Sequence, residues 1–275
     1  MTYREAINLG EKILAESDIV EARTDAWLLL EMVCRIDRSF YYLHMEEDVP
    51  QEQVSEYEIA LKKRAEHVPL QYIIGETEFM GLKFKVNSSV LIPRQDTETL
   101  VEEALKVVRP GMRVLDLCTG SGCIIVSVLH NVAGVDGYAV DVSKQALKVA
   151  KENAKLNEVS VLFERSNLFD NVVGTFDIIV SNPPYIRTGE IAELMPEVQM
   201  FEPVEALDGK EDGLYFYRRI VEDSREYLNP CGRILFEIGH DQGEAVSSLL
   251  REAGFEDVRV IQDLAHKDRV VTGML

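Results

Sequence analysis

Four residues at the end of one apolar run, Asn182-Pro183-Pro184-Tyr185, bring together the groups from which this chain's chemistry can be read. The run itself, Phe176-Asp177-Ile178-Ile179-Val180-Ser181, reads as a buried parallel strand. Two prolines stop its ladder because neither has an N–H to donate. Ligands of open α/β sheets bind at the C-terminal strand edge, so the Asn182 carboxamide, the Pro183 carbonyl and the Tyr185 ring are expected to converge on one pocket, with Pro184 stiffening the turn between them. Such a set suits a planar, neutral NH2 group: amide acceptors hold its two hydrogens while a ring packs on its face. An enzyme attacking with an amide or exocyclic amine nitrogen needs that arrangement. A plain strand-ending turn is the competing reading, since Asn-Pro opens many turns.

The chain upstream weighs against a plain turn. Met112 to Leu117 form a short apolar strand, Cys118-Thr119-Gly120-Ser121-Gly122 a Gly-rich turn, and Cys123 to Leu129 the start of a helix. Gly120 and Gly122 let the backbone approach a ligand, and the turn delivers it to a helix N-terminus. The next apolar stretch, Gly137 to Val140, ends in Asp141, where an acidic side chain accepts hydrogen bonds from ribose hydroxyls in such folds. A nucleoside-containing cofactor is expected. With only Gly-x-Gly present it need not be a dinucleotide, and Asp116 and Asp141 around the turn suit a sulfonium and amino-acid moiety better than a pyrophosphate.

Asp116-Leu-Cys-Thr-Gly-Ser-Gly122, Asp141 and Asn182-Pro-Pro-Tyr185 resemble the cofactor and acceptor motifs of class I S-adenosylmethionine-dependent methyltransferases that act on planar nitrogens. Two groups share that signature: DNA adenine-N6 methyltransferases and the HemK-type glutamine-N5 methyltransferases of peptide chain release factors. Pro93-Arg94-Gln95-Asp96-Thr97-Glu98 resembles a motif of the HemK type, as do Phe201-Glu202-Pro203 with Ala206-Leu207, Asp263-Leu264-Ala265 and Asp268-Arg269-Val270-Val271. The resemblance implies S-adenosylmethionine held by Cys118, Thr119, Gly120, Ser121, Gly122, Asp141, Asn167, Leu168 and Asn182. It also implies a glutamine amide held by Asn182, Pro183, Pro184 and Tyr185, with Asn182, Pro183 and Tyr185 as the catalytic set and Glu98 and Glu202 helping to shape the site. Cys118 stands where glycine is usual, which bears on how tightly the turn closes. Leu168 stands where an aromatic residue is often found, which suggests an aliphatic contact to adenine.

Charge separates the two substrate classes. Forty-eight acidic against 29 basic residues give a formal charge of −19, whereas a DNA-binding enzyme usually presents a basic face to phosphates. An acidic enzyme matches a basic protein partner, and release factors are the partners that the resemblance implies; no direct DNA binding is expected. Lys62-Lys63-Arg64 and Arg218-Arg219 read as solvated helix faces. No apolar run reaches a membrane span, the start lacks a signal peptide's apolar segment, and cytosol is the expected location. Cys34, Cys118, Cys123 and Cys231 lack zinc-site spacing and read as reduced thiols. No metal is expected, and the five histidines receive no chemistry.

The 275 residues divide, on this reading, into three parts. Residues 1–75 form a small helical bundle: Thr2 and Glu5 make a capping box, Ala26, Leu29, Leu30 and Val33 recur at helical spacing, and Pro50 opens a third helix through Arg64. The resemblance gives this bundle a substrate-docking role. Residues 76–92 carry an alternating hairpin that turns at Met80-Gly81 and links the bundle to residues 93–275. There, strands alternate with helices, the pattern of an α/β fold: a Rossmann-like, mainly parallel class I methyltransferase sheet with helices on both faces.

Overall fold

Thr2 and Glu5 open the first helix by exchanging side chains: the Thr2 hydroxyl accepts the Glu5 N–H (3.2 Å), and the Glu5 carboxylate accepts the Thr2 N–H (2.9 Å). In the computed structural model, which describes all residues Met1–Leu275, this helix is α1 (Tyr3–Glu16). It is followed by α2 (Ala22–Cys34), α3 (Arg38–His44), α4 (Gln51–Ala65) and α5 (Leu70–Ile74). The sequence reading missed α3 and α5, which are seven and five residues long and too short for helical periodicity to declare itself. Leu14, Ala26, Leu29, Leu30, Tyr57 and Leu61 form the buried centre of this unit, and the Tyr57 hydroxyl donates to the Ala26 carbonyl (3.0 Å). The unit comprises residues 1–75 together with Met195–Phe201, a segment that the sequence reading had left in the larger domain.

Arg64 corrects one expectation. Lys62 and Lys63 are exposed, but Arg64 is buried, because it continues the inward face of α4 that carries Val54, Tyr57 and Leu61. Its guanidinium donates to Asp25 (2.7 Å) and to the Val68 carbonyl (3.2 Å), and pairs with Glu197 (2.6 Å). Burial raises the pKa of Asp25 despite the lowering effect of Arg64.

The second unit comprises residues 76–194 and 202–275. It begins with the expected hairpin, β1 (Glu76–Phe79) paired antiparallel to β2 (Leu82–Lys85). Then come α6 (Glu98–Val107), β3 (Arg113–Leu117), α7 (Cys123–Asn131), β4 (Asp136–Asp141), α8 (Lys144–Leu156), β5 (Val161–Arg165) and β6 (Phe176–Ser181). The short α9 (Pro196–Phe201) belongs to the first unit; α10 (Tyr215–Tyr227), β7 (Leu228–Glu237), α11 (Gly243–Glu252), β8 (Glu256–Gln262) and β9 (Asp268–Met274) complete the second. The seven-stranded sheet runs β5-β4-β3-β6-β7-β9-β8, parallel from β5 to β7 and antiparallel at β7–β9 and β9–β8. Asn229-Pro230-Cys231-Gly232 forms an irregular entry to β7, with Cys231 at φ +63°. No helix is long and apolar enough to cross a membrane.

Asn153 explains how the hairpin is fixed within this unit. Wholly buried on α8, it accepts the Lys85 N–H (2.7 Å) and donates to the Lys85 carbonyl (3.0 Å) and the Ser121 carbonyl (2.9 Å). One side chain thereby satisfies backbone groups of the hairpin and of the Gly-rich turn.

Arg64→Ala would leave Asp25 buried without its cation, and the expected cost is about 3–5 kcal/mol in the helical unit. Trp27, the one tryptophan of the chain, is 6% exposed in that unit, so its fluorescence in a denaturant titration reports the loss selectively. A change under about 1 kcal/mol, the range of exposed ion pairs, would contradict the buried-pair account.

Candidate active site

The sheet reverses its strand order between β3 and β6, and the cavity opens at the C-terminal ends of those strands and β4, where a switch point places ligands. Ser181, fully buried at the last position of β6, donates its hydroxyl to the Leu117 carbonyl at the end of β3 (2.8 Å), tying the two strand ends together. The cavity holds about 1010 Å³ of empty space, part of it open to solvent.

The Gly-rich turn leaves β3 through three left-handed residues, Cys118 (φ +59°), Gly120 (φ +54°) and Gly122 (φ +80°). Cys118 is the non-glycine in this set, a conformation costly for a residue with a Cβ. Closure survives the substitution: the Thr119 N–H reaches the Val140 carbonyl (3.0 Å), and the Gly122 N–H reaches the Thr119 carbonyl (2.8 Å). Burial, reinforced by Asp141 and Asp116, holds the Cys118 thiol far above its ordinary pKa, so it is a packing group and not a nucleophile. A Cβ on Gly120 would meet nothing within 4 Å, so its chain faces open cavity. Gly122 differs. A Cβ there would approach Ala150 at 3.1 Å, and Gly122 does not line the cavity; it starts α7 and lets α8 pack closely.

The two aspartates part company. Asp116 is fully buried, accepts the Thr119 hydroxyl (2.6 Å), and does not reach the cavity, which corrects the expectation that it faces a cofactor's charge. Burial pushes its carboxyl up to about 7. Asp141 does line the cavity, where it accepts the Gly120 N–H (2.9 Å) and the Ser143 N–H (2.9 Å). Burial raises its pKa, and those two bonds oppose the rise. A carboxylate has about four lone-pair sites, so acceptor capacity remains for hydroxyls. Thr119, Ser121, Asn167 and Leu168 also line the cavity, Leu168 at φ +53° and 4% exposed.

At the acceptor loop, Asn182 and Pro184 form cavity wall, whereas Pro183 and Tyr185 do not. The Asn182 carboxamide makes no hydrogen bond within the chain, but the residues around it are tied down. The Tyr185 hydroxyl lies 3.3 Å from Glu237, and its carbonyl accepts from Gln242 (3.0 Å). Ile186 bonds through its N–H to Leu207 (3.0 Å) and through its carbonyl to Gly209 (2.8 Å). Gly213 is required here: a Cβ would lie 2.4 Å from the Tyr185 carbonyl oxygen.

The remaining motifs act as supports. Arg269, 8% exposed, contacts Asp263 (3.1 Å), Asp96 (3.0 Å) and the Ile238 carbonyl (3.4 Å), which joins the first and last of them. Glu202, buried, pairs with Arg94; Glu98 accepts the Met80 N–H of the hairpin (2.6 Å). Neither glutamate lines the cavity, so their part in shaping the site is indirect.

Sequence reading missed Val90, Thr97, Glu205 and Phe216 as cavity residues. Thr97 lay inside a recognised motif and Phe216 beside Arg218-Arg219 on α10, but only tertiary packing turns them inward. Among all lining residues the ionisable side chains of Asp and Glu are Asp141 and Glu205, with no Lys, Arg or His. A polar, cation-free wall with two carboxylates, an open backbone at Gly120 and an apolar patch at Val142, Ala146 and Leu168 fits a cationic nucleoside such as S-adenosylmethionine and does not fit a pyrophosphate. No group of three or more His, Cys, Asp or Glu is placed to hold a metal ion.

Residues 5–75 match the PrmC N-terminal domain and residues 95–266 the methyltransferase small domain. A release factor glutamine methyltransferase of Geobacter sulfurreducens is 40% identical over 275 residues, 100% of this chain and 97% of its own. Another, from Thermodesulfovibrio yellowstonii, is 41% identical over 250 residues, 88% of this chain and 89% of its own. Among solved structures, a methyltransferase from Pyrococcus furiosus shares the fold at 18% identity, with a TM-score of 0.54, over 70% of this chain and 89% of its own. With its S-adenosylmethionine site, its proline-stopped acceptor strand and full-length identity of this order, the chain belongs to the release factor glutamine methyltransferase family.

Proposed function

We propose that the chain transfers a methyl group from S-adenosylmethionine to the side-chain amide nitrogen, N5, of a glutamine in the Gly-Gly-Gln loop of a peptide chain release factor. The observation that carries this reading is the Asn182 carboxamide, set on the cavity wall without a partner of its own in a loop otherwise fastened on both sides. The named relatives supply the substrate class.

S-adenosylmethionine, when bound, supplies a methyl group made electrophilic by its sulfonium. The chain's own work is to present the nucleophile. A carboxamide nitrogen is a weak one, because its lone pair is delocalised into the carbonyl. Asn182 Oδ1 and the Pro183 carbonyl accept its two N–H bonds, which orients the nitrogen and favours pyramidalisation as attack begins. The Tyr185 ring packs beside the amide. The nitrogen gains the methyl group and sheds one proton to water; the N-methylated amide is strongly acidic at that stage, so no side chain need remove the proton first. Asp141 holds ribose hydroxyls while keeping Gly120 in place, and Leu168 with Val142 and Ala146 receives the base. We assign substrate docking to residues 1–75, and the cytosol as the location.

An adenine amine on a nucleic acid offers the same NH2 group to Asn182. The cation-free cavity wall and the charge of −19 weigh against a phosphate-bearing substrate.

Asn182→Ala is expected to lower kcat by about 10²-fold to 10³-fold, since it removes one preorganised acceptor, while cofactor affinity stays within a few-fold. Radiolabelled S-adenosylmethionine with purified release factor measures this; near-normal kcat would end the acceptor assignment, and label appearing in DNA instead would favour the second reading. Asp141→Ala removes both the ribose acceptor and the Gly120 tie, so calorimetry should show a dissociation constant raised by roughly tens of fold. Unchanged affinity would move the ribose site elsewhere. For docking, a chain lacking residues 1–75 should lose kcat/KM on intact release factor far more than on a short peptide bearing the same glutamine; equal losses would show that the bundle supports the site itself.

A further inference from the structure

Behind the acceptor loop lies a buried carboxyl that no step above uses. Glu237 is the last residue of β7, the strand beside β6, and is 2% exposed. One neutral hydroxyl serves it, the Tyr185 phenol at 3.3 Å from Oε1; Oε2 is buried with no hydrogen-bond partner, and Thr97 lies nearby. Thr97 is itself 2% exposed and part of the cavity wall. No cation pairs with Glu237; the nearby Arg269 gives its hydrogen bonds to Asp263 and the Ile238 carbonyl and its ion pair to Asp96. The Glu237 backbone carbonyl is occupied as well, by the Tyr217 hydroxyl of α10 (2.7 Å). A desolvated carboxyl with one hydroxyl donor and one unpartnered oxygen is an expensive way to fill core space, and an apolar residue would pack there at less cost.

We propose that Glu237 is a positioning residue for methyl transfer: by accepting the phenol of Tyr185 it sets the Tyr185 ring, and with it the Asn182–Tyr185 loop, in register with the cavity wall. The inference rests on the acceptor role given to that loop. It extends the catalytic assembly to a residue outside every motif that the sequence displayed. Each anchoring bond locks one degree of freedom. The phenol bond fixes the ring's far end, the Gln242 bond fixes its carbonyl, and Gly213 bounds it from the other side.

The environment of Glu237 supplies a signature that a merely structural residue would lack. Burial pushes its carboxyl up to about 7, with Asp96 adding to the rise, while Thr97, Arg269 and Tyr185 lower it. Tyr217 and Cys123 are the other titratable groups that face it, and both are held protonated by burial well above neutrality. A carboxylate accepts the phenol bond more strongly than a neutral acid does, so transfer should quicken as pH rises through about 7.

The test uses the full-length enzyme with intact release factor. Glu237→Leu should lower kcat by about 10-fold to 100-fold, the scale of a small misplacement, with the dissociation constant for S-adenosylmethionine within about three-fold. Tyr185→Phe removes the same bond from the other side, so the double variant should be no slower than the slower single one. Glu237→Gln keeps an acceptor for the phenol and should recover most of the lost rate. Asp116 also ionises at about 7, so the pH profile is read in an Asp116→Asn background, where the inflection near 7 should be present with Glu237 and absent with Glu237→Gln. Multiplicative losses in the Glu237→Leu, Tyr185→Phe double variant, or an inflection that persists in Glu237→Gln in that background, would overturn the proposal. Should Glu237→Leu not fold, that pair of profiles decides alone. A silent Asn182→Ala would defeat the acceptor-loop reading itself, whereas a crippled Asn182→Ala beside a silent Glu237→Leu would defeat this inference only.

Discussion

The end of β6 is the constraint around which the catalytic unit is arranged. A central strand must stop abruptly and leave the Asn182 carboxamide half-buried on the cavity wall, with no partner in the chain. Two prolines supply the stop by withdrawing their N–H groups. They do not by themselves fix where the loop goes. That is done by the Ser181 hydroxyl bonded to Leu117 of β3, by Gln242 at the entry to α11, and by the Ile186–Leu207–Gly209 ladder. The Asn182 carboxamide stays uncommitted within the chain while the residues around it are bonded.

Electrostatics runs in one direction throughout this unit. The cavity wall offers carboxylates and no cations, and the Gly-rich turn is tied to a carboxylate instead of being left open for a phosphate. A helix N-terminus in this position would attract an anion; here Asp141 reaches the Gly120 N–H first. The geometry inherited from dinucleotide-binding folds is thus turned to a cationic ligand by one side chain.

Much of this was legible in the sequence wherever a local rule sufficed. The capping box at Thr2, the hairpin turning at Met80-Gly81, the strand Phe176–Ser181 and the Gly-rich turn each depend on neighbours within a few residues, and each forms where expected. What stayed hidden depends on partners far away in the chain. Arg64 looked like part of a solvated basic cluster until Asp25 and Glu197 closed on it. Asp116 looked like a ligand because it borders the turn, but the alternation of β3 points it into the core. Gly122 was expected to let the backbone approach the cofactor and proved to be a packing contact with Ala150. Asn153, Phe216 and Glu237 carry no local signal, since their roles exist only once other elements have packed against them.

Asp116 and Glu237 have a further consequence, for the thermodynamics of the whole chain. Each ionises near its ordinary value of about 4 when unfolded and at about 7 when folded. Their contribution to stability is therefore fully present below about pH 4 and is lost as pH rises through about 7. At neutrality both are partly protonated in the folded chain and almost wholly ionised in the unfolded one, so folding takes up protons at these two positions. Unfolding near neutrality releases protons from these two interior groups, and its measured heat carries the ionisation heat of whatever buffer receives them.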